Sequence, residues 1–243
     1  MFRKILFWFL LLIINTSLVP FGEYSDEFAP NLYDFADHGF KKSAVSAVAI
    51  IAFDENLEPV GGGSGNYFKY KRHRIVITAA HVVDSPIIAV QERGPNIEVA
   101  EVIYVDNQND IAVLLINEKL KFTKPVWFSL DNNLEYGEPI YYTGNPGATP
   151  FFPVEGMLVE QRGRWVLTNM FAWPGSSGAV VFDDSGHIVG IVSSVMVAAD
   201  NGLPPQIVSQ VTKLADIRNL DLESLEDKLN NVKNSAKRGD SNK

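Results

Sequence analysis

Trp173-Pro174-Gly175-Ser176-Ser177-Gly178-Ala179-Val180 decides how the rest of the chain is read, because it sets serines between two glycines immediately ahead of an apolar run. A serine hydroxyl is a poor nucleophile until a neighbouring base takes its proton, and the oxyanion that then forms needs donors already in place. Glycines on either side permit a tight turn that can aim the backbone N–H groups of Gly175 and Ser177 at one point. The same Gly-x-Ser-Gly pattern occurs in ordinary turns, so the reading requires a base and an orienting acid elsewhere in the chain.

Both are present. Ile75-Val76-Ile77-Thr78-Ala79-Ala80-His81-Val82-Val83 is a β-branched run that ends in small residues and a histidine, which places His81 at the mouth of a strand. Asn109-Asp110-Ile111-Ala112-Val113-Leu114 is a carboxylate leading straight into an apolar strand. Asp110 at that rim can accept an imidazole N–H and fix the tautomer. Asp106 is the nearby competitor, and Asp110 is preferred because the apolar run begins immediately after it.

Together with Gly63-Ser64-Gly65 and Gly144-Asn145-Pro146-Gly147, these segments follow one another from about residue 44 to about residue 195. In this set and order the chain resembles the trypsin-like (chymotrypsin-fold) serine proteases of the HtrA/DegP kind. The resemblance implies an all-β fold of two six-stranded antiparallel β-barrels with a C-terminal helix. It implies a serine endopeptidase with the triad His81, Asp110 and Ser177, in the chain order of chymotrypsin-type enzymes, and an oxyanion hole made by the N–H groups of Gly175 and Ser177. It also implies a substrate pocket with Phe171, six residues before the nucleophile, at its base, and with Ile191, Val192 and Ser193 on the strand that lines it and pairs with substrate. No acid stands at Phe171, so cleavage after Lys or Arg is not expected, since a buried cation would lack a partner. A small or medium apolar residue is expected before the cleaved bond.

The departures from the family matter too. Met170 and Phe171 are bulkier than the residues usual there, which keeps two rival readings open: a non-catalytic binding module with a blocked pocket, and a dedicated site-specific processing protease. Ser176 occupies the position at which trypsin-type zymogens carry an acid that pairs with a new N-terminal amine, so activation by that ion pair is excluded. Ala179 replaces a common second glycine. The residues after the last expected barrel strand are too few for a PDZ domain of the usual kind.

The chain has 243 residues, of which 46% are hydrophobic and 21% charged, enough for one sizeable core. A net charge of −8 argues against nucleic acid as a partner, and a protein or peptide substrate is expected instead. The absence of cysteine excludes a disulfide framework and thiolate metal sites. No cluster of His, Asp and Glu has metal-ligand spacing, and no metal or cofactor is expected.

Met1-Phe2-Arg3-Lys4 followed by an apolar run from Ile5 to Ile14 reads as a signal sequence. No clean small-x-small site follows, so a cleaved signal peptide and a retained membrane anchor over residues 5–21 both stand, and either gives an extracytoplasmic (periplasmic or secreted) address. The expected organisation is a signal peptide or anchor over 1–20 and a linker over 21–43 with a short helix near Leu32 to Ala36. A protease domain over 44–212 and a C-terminal helix with a disordered tail over 213–243 follow. Gly61 to Gly65 is expected as a flexible lead-in to a strand, and Lys69 to Arg74 as a solvated basic hairpin, with docking of an acidic partner as the lesser reading. The apolar series Val208, Val211, Leu214, Ile217, Leu220 suggests an amphipathic helix docked on the second barrel.

Overall fold

The computed structural model describes residues 37–130, 135–200 and 206–240. Strands β1 (Ala47–Phe53), β2 (Pro59–Tyr70), β3 (His73–Thr78), β4 (Ile87–Gln91), β5 (Ile97–Asp106) and β6 (Ile111–Leu115) form the first sheet, in the order β1-β4-β5-β6-β3-β2. Pairing of β1 with β2 closes it into a barrel, and β7 (Val126–Trp127) adds in parallel to the edge of β2. The second barrel closes in the order β10-β13-β12-β11-β8-β9. Its members are β8 (Pro139–Gly144), β9 (Phe152–Arg162), β10 (Trp165–Thr168), β11 (Val180–Asp183), β12 (Ile188–Asp200) and β13 (Gln206–Ala215). This is the expected pair of six-stranded antiparallel barrels.

Side-chain alternation explains how the barrels join. β6 is an unbroken apolar run, and each of its residues is buried, as befits a strand covered on both faces. On β11 the alternation has period two, and on β12 it slips by one residue at the bulge opposite Val181 and Phe182. Val181 and Val189 enter the core of the second barrel, whereas Val180, Phe182, Ile188 and Ile191 belong to the cluster that fills the first barrel and the seam. Phe182 meets Phe68 across that seam with ring centroids 6.1 Å apart.

Several expectations need correction. Gly61 to Gly65 lie within β2, paired with β1. Low strand propensity there is offset by close backbone approach: a β-carbon on Gly62 would lie 2.4 Å from the Ile50 carbonyl oxygen. The region expected as linker gives way at His38 to a helix, α1 (His38–Ser46), so the first strand starts at Ala47. That helix is held by Lys42 Nζ donating to the Gly186 carbonyl at 2.7 Å and by Ser43 Oγ, 3.0 Å from Thr143 Oγ1. The signal segment, the rest of the expected linker and the short helix near 32–36 lie outside the described residues.

The largest correction is near the C-terminus. The series beginning at Val208 does not form one helix: Val208, Val211 and Leu214 belong to β13, which closes the second barrel between β10 and β12, and Ile217 lies in a single 3₁₀ turn that ends at Leu220. The spacing of three imitates a helix, but the β-branched Ile207, Val208, Val211 and Thr212 suit a strand, and register shifts in the β12–β13 pairing absorb the irregular period. The helix, α2 (Leu222–Asp240), follows a short turn and continues through the segment expected to be disordered. It docks on the first barrel, not the second. Leu225 and Leu229 join that core, Tyr70 donates to Glu226 at 2.8 Å, and Lys71 pairs with Glu226 at 2.5 Å. The basic hairpin therefore does have an acidic partner, and it is this chain's own helix. Among the described residues no helix is long and apolar enough to cross a membrane.

Candidate active site

β3 and β6 pair with Thr78 opposite Ala112, which brings the chain just after β3 beside the turn just before β6. A single 3₁₀ turn, Ala80–Val82, buries Ala80 and Val82 and leaves His81 at the surface. Asp110 has φ 56°, in the left-handed region that Asp tolerates better than most residues. His81 Nδ1 lies 2.9 and 3.0 Å from the two Asp110 carboxylate oxygens, and the His81 backbone N–H donates to the same group at 3.1 Å. Ser193 Oγ donates to the other side of the carboxylate. With Nδ1 committed to the acid as a donor, Nε2 is the nitrogen able to take a proton. Asp106 is used differently: it caps its own turn, accepting from Gln108 N at 2.9 Å and Asn109 N at 3.0 Å.

The electrostatics follow from the contacts. The hydrogen bond to Asp110 raises the His81 pKa above its ordinary value of 6.5, against the opposing effect of burial. Burial pushes the Asp110 carboxyl up, but the hydrogen bonds from His81 and Ser193 outweigh it and hold the pKa below 3.8. The side chain of His81 is 49% exposed and that of Asp110 14%, so the acid is sheltered and the base is accessible.

Ser177 lies in the turn between β10 and β11, where carbonyl pairing fixes the peptide planes. In a trans peptide the C=O and N–H point in opposite directions. The Pro174 carbonyl accepts from Gly147 N at 2.8 Å, which turns the Gly175 N–H away from it. The Ser176 carbonyl accepts from Ala179 N at 3.0 Å, which does the same for the Ser177 N–H. Among the described residues neither of these N–H groups has a protein acceptor, whereas those of Ser176, Gly178 and Ala179 each do. Two unpaired donors separated by one residue are what a developing oxyanion needs. The turn requires its glycines: Gly175 has φ 99° and Gly178 φ 89°, and a β-carbon on Gly178 would lie 2.1 Å from Thr78 Oγ1.

The turn is seated on the first barrel. Ser64 N donates to the Ser177 carbonyl at 2.7 Å, and Ser64 Oγ donates to the Gly175 carbonyl at 2.7 Å. Ser64 Oγ in turn accepts from Asn145 N at 2.9 Å. Gly178 rests against Thr78 and Ala79, just ahead of His81, so the serine turn lies along the strand end that carries the histidine. Among the described residues the hydrogen bonds of His81 go to Asp110 and none joins it to Ser177 Oγ; catalytic contacts of this kind commonly tighten only when substrate is bound.

The residues expected to form the substrate pocket have different surroundings. Ile191 and Val192 are buried in the two cores, and the Ser193 hydroxyl is directed at Asp110. Phe171 is 49% exposed, while Met170 is buried in the second barrel. The apolar side chains exposed on these segments are Phe171, Trp173 and Met196. Sequence reasoning missed the bracing role of Ser64 and Asn145. The available signal was a serine between glycines, followed much later by an asparagine in a glycine turn, two polar residues where short backbones meet.

The model of the trypsin-like peptidase domain matches residues 63–191. The chain is 30% identical over 153 residues to a protein of Bartonella henselae described as "Probable periplasmic serine endoprotease DegP-like", covering 57% of this chain and 29% of that protein. A protein of Rhizobium meliloti with the same description is 27% identical over 190 residues, covering 72% of this chain and 35% of its own length. The chain thus spans about a third of the length of these relatives. A serine endoprotease from Yersinia pestis shares the fold, with a TM-score of 0.58, 20% identity and coverage of 74% of this chain and 61% of that structure.

Proposed function

This chain belongs to the trypsin-like peptidase domain family, and from that premise we propose that it is a serine endopeptidase acting through His81, Asp110 and Ser177. The observation that carries the reading is the sheltered Asp110 carboxylate holding His81 Nδ1, beside a turn in which the Gly175 and Ser177 N–H groups have no acceptor among the described residues. Ser177 Oγ attacks the peptide carbonyl carbon as His81 Nε2 takes its proton. The Gly175 and Ser177 N–H groups receive the oxyanion. Collapse breaks the C–N bond while His81 returns the proton to the leaving amine, and water repeats the sequence on the acyl-enzyme. Asp110 keeps the imidazole in its Nδ1–H tautomer and stabilises the cation without itself being protonated.

The substrates are proteins or peptides, with a small or medium apolar residue before the cleaved bond. No acid stands at Phe171 to receive a cation, and the exposed Phe171, Trp173 and Met196 offer apolar contacts. The site of action is extracytoplasmic, supported by the basic-then-apolar start of the sequence and by the periplasmic description of the relatives. The test is intact-mass analysis after exposure to a fluorophosphonate. One adduct on the wild type and none on a folded Ser177→Ala variant is the expected result. Absence of any adduct on folded wild type, under conditions that label a known serine protease, would reject it.

A further inference from the structure

Tyr142 is a buried phenol that the acyl-transfer chemistry does not use. It sits on β8 inside the second barrel, fully buried, yet its hydroxyl reaches the segment leading into the nucleophile. The hydroxyl lies 2.7 Å from the Phe171 carbonyl oxygen and 3.2 Å from Ser176 Oγ. Ser176 is itself 1% exposed, and its Oγ accepts from Trp173 N at 3.2 Å. A phenol has one proton to give, and the shorter contact to Phe171 takes it; the Ser176 hydroxyl proton then points back at the phenol oxygen. The result is one consistent chain, from Trp173 N–H through Ser176 and Tyr142 to the Phe171 carbonyl. Burial pushes the Tyr142 pKa up to about 12, so its proton stays in place throughout the pH range in which a histidine acts as base.

We propose that Tyr142 is a positioning residue for the nucleophile turn: through Ser176 and the Phe171 carbonyl it locks residues 171–176 in the conformation that leaves the Gly175 and Ser177 N–H groups free to receive an oxyanion. The inference rests on the reading given under Proposed function. Its physical basis is that Ser176 supplies both the side chain held by Tyr142 and the carbonyl whose pairing with Ala179 sets the Ser177 N–H. Tyr142 belongs to a strand of the closed barrel, so its hydroxyl is a sheet-borne anchor for a segment that contains no regular structure.

The test compares Tyr142→Phe and Ser176→Ala with Tyr141→Phe. Tyr141 is the neighbouring residue on β8, and its hydroxyl serves Asp37 at 2.6 Å, away from the turn; its loss controls for the general cost of removing a buried hydroxyl. Tyr142→Phe and Ser176→Ala are each expected to slow fluorophosphonate labelling of Ser177 about tenfold per folded molecule, the size of one lost hydrogen bond. The double variant should be no slower than the worse single one, as for partners in one chain. Tyr141→Phe should label at the wild-type rate. Wild-type labelling in folded Tyr142→Phe, or in folded Ser176→Ala should the phenylalanine variant not fold, overturns the proposal. Amide exchange at Ser176, followed by NMR, separates this from failure of the protease reading. If wild type does not label, faster exchange in Tyr142→Phe than in Tyr141→Phe still upholds the positioning role, and equal exchange overturns it.

Discussion

The two barrels hold their share of the candidate site by different means. The first barrel carries His81 and Asp110 at the ends of paired strands, where the β3–β6 register brings them together and Ser193 of the second barrel adds one hydrogen bond to the acid. The second barrel carries Ser177 on an irregular turn, and there the carbonyls of Phe171 and of Trp173 through Ser177 each accept a hydrogen bond, from Tyr142, Ser176, Gly147, Ser64, Ala179 and Ser64 in turn. Two of those six bonds come from Ser64 on the first barrel, and Tyr142 is the one donor on a strand of the second. A strand end is positioned by the sheet, and a turn must be positioned residue by residue. The candidate base and acid should therefore be sensitive to their own chemistry, and the candidate nucleophile to its neighbours.

Variants can break that comparison. Asp110→Asn should have the largest effect, lowering turnover or labelling by about 10⁴-fold while leaving the β3–β6 register intact, because the amide favours the wrong imidazole tautomer. A loss below tenfold in stopped-flow labelling would mean that Asp110 does not orient a catalytic His81. Gly178→Ala comes next. The positive φ and the contact with Thr78 Oγ1 and Ser64 O leave no room for a methyl group, and a destabilisation of about 1–3 kcal/mol in urea unfolding is expected from backbone strain and overpacking. Ser64→Ala removes the brace on the Gly175 carbonyl and should slow labelling by about fivefold to tenfold, near 1 kcal/mol, for a single neutral hydrogen bond.

The smallest effect sharpens the comparison through pH. The folded pKa of His81 is raised, so its pairing with Asp110 contributes stability that is fully present below 6.5 and is lost as pH rises through the folded value. The depressed pKa of Asp110 works in the opposite sense: its contribution is present above 3.8 and is lost as pH falls through its folded value. In the proposed mechanism His81 must be neutral to take the serine proton, so the acid limb of the labelling rate should have its midpoint above 6.5. Asp110→Asn should move that midpoint down, since the bond that raises it is gone.

Much of this can be read from the sequence. His81 and Asp110 could be found because each interrupts the end of an apolar, β-rich run, a local pattern that survives folding unchanged. The barrel-closing β13 was misread, because its apolar spacing of three also fits a helix, and only the neighbouring strands decide between them. The side on which α2 docks was hidden for a related reason. An amphipathic face states that it will be buried, but its partner, the Tyr70–Lys71 hairpin, is distant in the chain.

Residue chemistry and short-range pattern alone mark the candidate nucleophile, base and acid and the need for glycine around Ser177, while the two-barrel class follows from the family resemblance that those motifs carry. Tertiary structure alone decided which N–H groups stand free, which hydroxyl braces which carbonyl, and that Ser193 serves the acid while Ile191 and Val192 are buried. Those are matters of orientation between segments far apart in the chain, and a hydrogen bond depends on direction and distance that no local pattern encodes.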